Sequence, residues 1–388
     1  MIELKEQYRE RTRRSREKIS EVYTYKNREP AILVYNSNWW FIGEPAGTVP
    51  ESYCMGDYDS MLKHQIEKIK EHDINDLNDC YEPILFPYYG VPIQASAFGA
   101  GYIISSTVDP ELAPDHYNTV KNIDYIYSLK KPDLLKDGLC PRVLETIQYF
   151  KDNCDLPISI SDTMGPLTVA IQLVGYENFI YWMYDEPEAI HLLMQMVTDV
   201  TIDWIRIQKR AIGVSDTEPM YQGGIRSADG FGGAQFCDDE AIILDPDSYC
   251  EFVKPYNEQV LCAFGGGIIH SCGDVSHQLD NLKNTKGLTT YNNYSLDNLD
   301  ASAKLQKGFS EKNIVFMMCD YAVTDERMEA YYEELFQKLT YEGLIVTTYF
   351  APTIALDKGK YVFMERNAAE LGKRAYEIMR ENVKKNKR

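Results

Sequence analysis

Four short apolar runs in the C-terminal third of the chain each end in polar, aromatic or metal-binding residue types. The runs cover residues 267–270, 288–291, 314–318 and 344–348. Each is long enough for a buried strand, and the stretches between them are long enough for helices. Strands that alternate with helices pair in parallel, and barrels of this kind carry their functional side chains at the carboxyl ends of the strands.

The rest of the chain continues this alternation. Strands are predicted over residues 30–35, 83–89 and 158–161, and helices over residues 60–72, 139–152, 166–174 and 187–212. A charged segment with sparse apolar positions, residues 3–25, predicts a solvated helix on the outside of the domain. We therefore predict one α/β domain over residues 1–388, a (β/α)8 barrel of TIM type with a helical N-terminal extension over residues 1–28.

The charge of the chain excludes some classes of partner. It has 40 Lys plus Arg against 59 Asp plus Glu, a formal net charge of −19, which repels nucleic acids and anionic membranes. The N-terminus is charged and has no apolar signal segment, and nine scattered cysteines indicate reduced thiols. We expect a cytoplasmic enzyme that acts on a small molecule with no membrane partner; homodimer formation is left open.

His270 and Cys272 stand at the end of one predicted strand with a single residue between them. Residues i and i+2 of a strand point to the same face, so the two side chains can bind one ion. Cys319 closes a later strand, and Asp239 lies in an acidic trio at another strand end. Three such ligands with a fourth position open describe a catalytic zinc site. The alternative is a hydrogen-bonded histidine beside a buried thiol, and Cys237 is a weaker ligand candidate.

Several segments resemble the uroporphyrinogen decarboxylase superfamily in their order and spacing. They are residues 162–170, 175–179 and 187–188, residues 238–239, 244–249 and 252–256, and the His-Ser-Cys-Gly sequence at 270–273. The resemblance covers nearly the whole chain and implies the barrel fold of that superfamily. Its members divide into metal-free decarboxylases and corrinoid-dependent methyltransferases that use zinc.

The resemblance favours the methyltransferase branch. The decarboxylases carry an arginine-rich Met-Arg-Gln-Ala-Gly-Arg sequence after the first strand, where residues 35–40 of this chain are Tyr-Asn-Ser-Asn-Trp-Trp. Their histidine after the last strand is also missing, because residues 348–352 are Thr-Tyr-Phe-Ala-Pro. A porphyrinogen with many carboxylates would therefore meet no counter-charge in a protein that is already acidic.

The resemblance also implies a ligand set. His270 and Cys272 match the His-x-Cys zinc ligands of the methyltransferases. The methanol and methylamine enzymes have a further cysteine after the last strand, where this chain has Tyr349 and Phe350. Cys319 is the predicted substitute, and Asp239 resembles the carboxylate ligand of the O-demethylase relatives. The predicted catalytic residues are accordingly His270, Cys272 and Asp239.

The implied activity is zinc-dependent methyl transfer between a small, aromatic or otherwise apolar methyl donor and the cobalamin of a partner corrinoid protein. Zinc would stabilise the charge that develops on the heteroatom losing the methyl group. Two other interpretations stay open: a metal-free decarboxylase-like lyase, and a non-catalytic protein that binds a tetrapyrrole or corrinoid. The candidates for substrate contacts are Asn36, Trp39, Trp40, Asp162, Tyr221 and Tyr349.

Overall fold

The computed structural model describes residues 1–35, 53, 55–75, 77–105, 109–219, 221–222 and 225–386. The strands in these ranges are β1 (Ala31–Tyr35), β2 (Tyr102–Ile103), β3 (Glu111–Leu112), β4 (Tyr221–Gln222), β5 (Ile225–Arg226), β6 (Ala234–Cys237), β7 (Gly267–Cys272), β8 (Leu288–Tyr294), β9 (Val315–Tyr321), β10 (Leu344–Tyr349), β11 (Ile354–Asp357) and β12 (Lys360–Phe363). Six of them form one parallel sheet in the order β1–β10–β9–β8–β7–β6. The first predicted strand and the four C-terminal ones are thus confirmed.

Two extended segments join the six strands in a ring of eight. They are the second barrel segment (residues 83–89) and the third barrel segment (residues 157–164). Leu85 and Ile158 form a parallel bridge between them, and Met164 forms another with Cys237 of β6. Just before the second segment, the Asp79 amide donates to the carbonyl of Ile32 in β1 at 2.8 Å. These links close the predicted α/β barrel.

The second and third barrel segments are not the regular strands that the sequence predicted. Prolines flank or interrupt both of them, and proline has no backbone donor for a strand ladder. Buried glutamines bond to the free backbone groups instead. The amide of Gln65 bonds to both backbone groups of Phe86 at 2.7 and 3.0 Å, and Gln94 does the same for Met164 at 2.7 Å for each bond.

Helices pack around this ring. They are α1 (Arg9–Tyr23), α2 (Tyr58–Asn75), α3 (Ile93–Ala97), α4 (Ile123–Ser128), α5 (Cys140–Asn153), α6 (Pro166–Val174), α7 (Tyr176–Asp185), α8 (Pro187–Ile212), α9 (Pro246–Phe252), α10 (Lys254–Ala263), α11 (Leu279–Lys283), α12 (Leu299–Ser310), α13 (Met328–Lys338) and α14 (Ala368–Lys385). The four helices predicted between residues 60 and 212 are confirmed with small shifts at their ends.

The N-terminal extension contains the predicted helix. The buried residues of α1 recur every one to four positions and define one face: Arg11, Ser15, Ile19, Val22 and Tyr23. On this face the Ser15 hydroxyl donates to the carbonyl oxygen of Tyr81 at 2.6 Å. The charged face stays exposed, as the sequence predicted.

The apolar core has two parts. The larger part joins the barrel strands to α6 and to the N-terminal half of α8. The second lies between α2, α5 and the middle of α8, where Trp204 is fully buried. Among the helices of the described residues, none is both long enough and apolar enough to cross a membrane.

A hairpin of β11 and β12 follows the last barrel strand. Its turn contains Lys358 and Gly359, both with positive φ (50° and 77°). This is the backbone conformation of the tight turns that match strand twist. Tyr361 of the hairpin lies edge-on against Tyr321 at the end of β9, with ring centroids 5.5 Å apart. The hairpin therefore covers part of the carboxyl end of the barrel.

Gly165 marks the closest approach of α6 to β6. Its amide donates to the Cys237 carbonyl oxygen at 2.7 Å, and a Cβ added here would lie 2.8 Å from the same oxygen. We expect Gly165→Ala to lower the free energy of unfolding by about 1–3 kcal/mol, because the methyl group pushes two backbones apart. Denaturant unfolding followed by circular dichroism measures the loss, and an unchanged midpoint would contradict this close packing.

Candidate active site

The predicted ligands lie where β6 and β7 end. Cys237 is the last residue of β6 and is in register with His270 of β7. Asp239 begins a short 3-10 helix, Asp239–Ile243, directly after β6. Because parallel strands end at one edge of the sheet, these side chains meet at the carboxyl end of the barrel.

Three donor atoms come together there. Sγ of Cys237, a carboxylate oxygen of Asp239 and a ring nitrogen of His270 all lie within 4.8 Å of one another. Nε2 of His270 is 3.7 Å from Oδ1 of Asp239, and the Cys237 thiol donates to Oδ2 at 3.0 Å. Sulfur, nitrogen and carboxylate oxygen are the atoms that bind zinc in proteins. The donor set therefore fits one divalent ion, and Cys237 belongs to it.

Cys272, a predicted ligand, lies beside this group. Its Sγ is 3.5 Å from Nε2 of His270. Its backbone amide donates to Oδ1 of Asp239 at 2.7 Å, which fixes the carboxylate against the end of β7. Cys272 thus supports the group through its backbone and offers a fourth donor through its thiol.

Cys319, the other predicted ligand, is not drawn into the group of three donors. It is buried on β9, and the side chains of Tyr349, Tyr294 and Asn292 lie close enough to lower the pKa of its thiol against the effect of burial. Its role as a metal ligand stays a prediction.

Asn292 orients the imidazole of His270. It lies beside His270 in the register of β7 and β8, and its Oδ1 accepts a hydrogen bond from Nδ1 of the histidine. Nδ2 of Asn292 donates to the Met317 carbonyl oxygen at 3.0 Å, which leaves Oδ1 to face the ring. The hydrogen-bond network thus assigns the proton to Nδ1, so Nε2 presents its lone pair to a metal. The sequence analysis missed Asn292 because it ended this run at residue 291, whereas β8 continues to Tyr294.

Burial controls the protonation of the thiols. It raises the pKa of Cys237 and Cys272 well above the ordinary thiol value, and the negative charge of Asp239 adds to the shift. Burial also raises the pKa of Cys319 to about 12. A cysteine binds metal as the thiolate, so binding of an ion here must release protons.

The acidic residues of this region divide into two groups. Asp162 is close to the donors: its pKa is raised to about 6, mainly by burial and in part by the charge of Asp239, while His270 acts in the opposite direction. Asp238 points away from the donors, because its Oδ2 accepts from Asn257 at 2.8 Å and Tyr249 at 3.1 Å. Of the three consecutive acidic residues Asp238, Asp239 and Glu240, Asp239 is thus the one in the donor group.

Tyrosine rings form a wall beside the donors. Tyr349, a predicted substrate contact, stacks on Tyr35 with centroids 4.9 Å apart and on Tyr294 with centroids 6.0 Å apart. Tyr294 in turn lies edge-on to His270 at 5.5 Å. Three other predicted contacts, Asn36, Trp39 and Trp40, lie outside the described residues, as does the side chain of Tyr221.

The chain is similar to proteins of the superfamily that its sequence resembles. Residues 84–215 match the uroporphyrinogen decarboxylase (URO-D) family. Methylated-thiol--coenzyme M methyltransferase of Methanosarcina mazei is 25% identical over 207 residues, which is 51% of this chain and 48% of that protein. Uroporphyrinogen decarboxylase of Syntrophotalea carbinolica is 26% identical over 207 residues, 51% of this chain and 52% of that protein.

A solved structure shares the fold. A methyltransferase from Methanosarcina mazei matches with a TM-score of 0.65 over 96% of this chain and 98% of the other, at 14% sequence identity. The predicted resemblance and the barrel fold are thus confirmed. In sequence, the chain spans about half the length of the curated relatives that it matches. Because those relatives have two different activities at nearly equal identity, the residues of the site must distinguish methyl transfer from decarboxylation.

We expect Asn292→Leu to weaken divalent metal binding about 10- to 100-fold, because the imidazole loses the acceptor that orients it. Asn292→Asp keeps an acceptor oxygen for Nδ1 and should retain more of the affinity. Competition with a fluorescent zinc chelator measures both variants, and thermal unfolding of the metal-free proteins checks that they are folded. Wild-type affinity in a folded Asn292→Leu variant would refute this role.

Proposed function

We propose that this chain, which carries a URO-D family domain, is a zinc-dependent methyltransferase. It would move a methyl group between a small molecule and the cobalamin of a partner corrinoid protein. The observation that carries the proposal is the donor group of Cys237, Asp239 and His270, with the imidazole already oriented by Asn292. A metal-free decarboxylation of a porphyrinogen would not require such a group of metal-binding side chains.

Each group of residues at the site has its own role in the proposed reaction. Cys237, Asp239 and His270 would hold the ion, and Cys272 lies close enough to Nε2 to act as a fourth donor. When bound, zinc supplies a Lewis acid that stabilises negative charge on the oxygen or sulfur atom losing the methyl group, or lowers the pKa of an accepting thiol. The wall of tyrosines excludes water and packs against the apolar methyl group.

The charge of the site argues against the decarboxylase alternative. Among the residues that the structure describes, no lysine or arginine forms an ion pair with Asp162, Asp239 or Glu240. A polycarboxylate substrate needs cationic side chains to offset its charge, whereas a divalent ion needs anionic ones. The same feature therefore favours the metal-dependent function.

The surface near the donors suits a protein partner. Ile242 and Ile243, which closely follow Asp239, are 42% and 43% exposed, and Phe363 of the β11–β12 hairpin is 88% exposed. A partner protein that covered these side chains would remove apolar surface from water. A corrinoid protein that docks here would bring its cobalamin to the donors. We place both proteins in the cytoplasm.

The first test is the metal content of the purified protein. We expect about one zinc per chain, and we expect Cys237→Ala and His270→Ala to lose it because each removes one of the three donors. Cys250→Ala is the matched control, since it removes an exposed thiol of α9 that is not a ligand candidate. Elemental analysis after gel filtration gives the stoichiometry.

The second readout is methyl transfer. The zinc-loaded protein should exchange methyl groups between cobalamin and a panel of thiols and methyl ethers, and the Cys237→Ala variant should lose this activity. Absence of zinc in the wild type after reconstitution under reducing conditions would refute the proposal. So would full methyl transfer by the folded, zinc-free Cys237→Ala variant.

A further inference from the structure

We infer that the substrate bound beside the donor group carries no negative charge, and that the site rejects anionic thiols and ethers in favour of neutral or cationic ones. This inference rests on the proposed function and specifies its substrate class. It follows from three features of the barrel mouth: uncompensated carboxyl groups, occupied cations at the rim, and a wall of neutral tyrosines.

Carboxyl groups surround the donors on several strands. Asp162 lies in the third barrel segment, Asp239 and Glu240 follow β6, and Asp320 lies near the end of β9. The charge of Asp239 raises the pKa of Asp162, of Glu240 and of the Cys272 thiol, and the charge of Asp320 also raises that of Cys272. In the described part of the chain, these carboxyl groups bond to hydroxyl, thiol and backbone donors and to the histidine, and to no lysine or arginine.

The nearby cations of the rim are already paired. Arg327 binds Asp297 and Asp357. Arg366 lies 2.6 Å from Asp325 and stacks over the ring of Phe350. Each guanidinium therefore has its own carboxylate, which offsets its charge, and the side chain of Arg366 is fully buried.

Cations elsewhere in the chain do not change this charge balance. Residues 36–52, 106–108 and 220–225, whose side chains lie outside the described part of the chain, contain no lysine or arginine in their sequence. Lys358 and Lys360, in the turn of the β11–β12 hairpin, are exposed to solvent. Exposed lysines are screened by salt and water and bind an anion only weakly.

The tyrosine wall favours the same class of substrate. Burial keeps the pKa of Tyr294 and Tyr349 well above the ordinary value, so both rings are neutral. Aromatic ring faces carry partial negative charge, so they attract methyl groups and cations and repel anions. An uncompensated carboxylate about 8 Å from a substrate anion reduces binding on the order of tenfold.

The test uses three two-carbon thiols that differ only in their terminal group: 2-aminoethanethiol, 2-mercaptoethanol and 2-mercaptoethanesulfonate. Each is titrated into the full chain loaded with Co²⁺ in place of zinc. Binding is followed by the sulfur-to-cobalt charge-transfer band and by calorimetry. We expect the cationic and neutral thiols to bind at least tenfold more tightly than the sulfonate, and the gap to narrow at high salt.

Two variants test whether the charge of Asp162 causes the difference in affinity between the thiols. Asp162→Asn removes one charge beside the donors and should improve sulfonate binding about fivefold. Asp199→Asn, on the exposed surface of α8, changes the net charge equally and should leave the ratio unchanged. Equal or tighter binding of the sulfonate by the wild type would overturn the inference while leaving the proposed function intact. Failure of all three thiols to alter the cobalt spectrum would overturn the proposed function and this inference with it.

Discussion

The register of the parallel sheet is the constraint on which the site depends. Cys237, His270, Asn292 and Met317 are neighbours on four adjacent strands, β6 to β9. The carbonyl of Met317 orients the amide of Asn292, that amide orients the imidazole, and the imidazole faces Cys237. A slip of one residue in any pair would turn one of these side chains to the other face of the sheet. The site is thus built on the rigid part of the barrel, and its loops add Asp239.

The irregular side of the barrel supports the same strand. Where prolines interrupt the ladder, Gln94 bonds to both backbone groups of Met164. Met164 bridges to Cys237, and the next residue, Gly165, donates to the Cys237 carbonyl. Buried backbone N–H and C=O groups need hydrogen-bond partners. Here a side-chain amide from a helix supplies the hydrogen bonds that a neighbouring strand supplies in a regular sheet. The position of one metal donor therefore depends on a glutamine in α3.

Hydrophobic periodicity and spacing along the chain predicted the fold and one end of the site. The alternation of strands and helices gave the barrel, and the spacing of His270 and Cys272 placed the site at its carboxyl end. Spacing along one strand does not measure distance across the sheet. Cys319 is two strands from His270, and adjacent strands lie roughly 4.8 Å apart, whereas Cys237 is on the neighbouring strand. A hydrogen-bond partner such as Asn292 cannot be recognised from the sequence alone, because asparagine is also common in the turns that follow strands.

The proposed binding of a cation at the site and the inferred rejection of anionic substrates have one physical origin. Without a metal, the buried thiols keep their protons because burial and Asp239 both oppose the thiolate. A divalent ion reverses this balance, because it favours the thiolate of Cys237 and pairs with the carboxylate of Asp239. Those two charges offset the ion, so the remaining carboxyl group beside the donors, Asp162, stays uncompensated by it. A site that must stabilise charge on a departing heteroatom gains from this arrangement, because negative charge on the substrate is stabilised at the atom bound to the metal and opposed elsewhere.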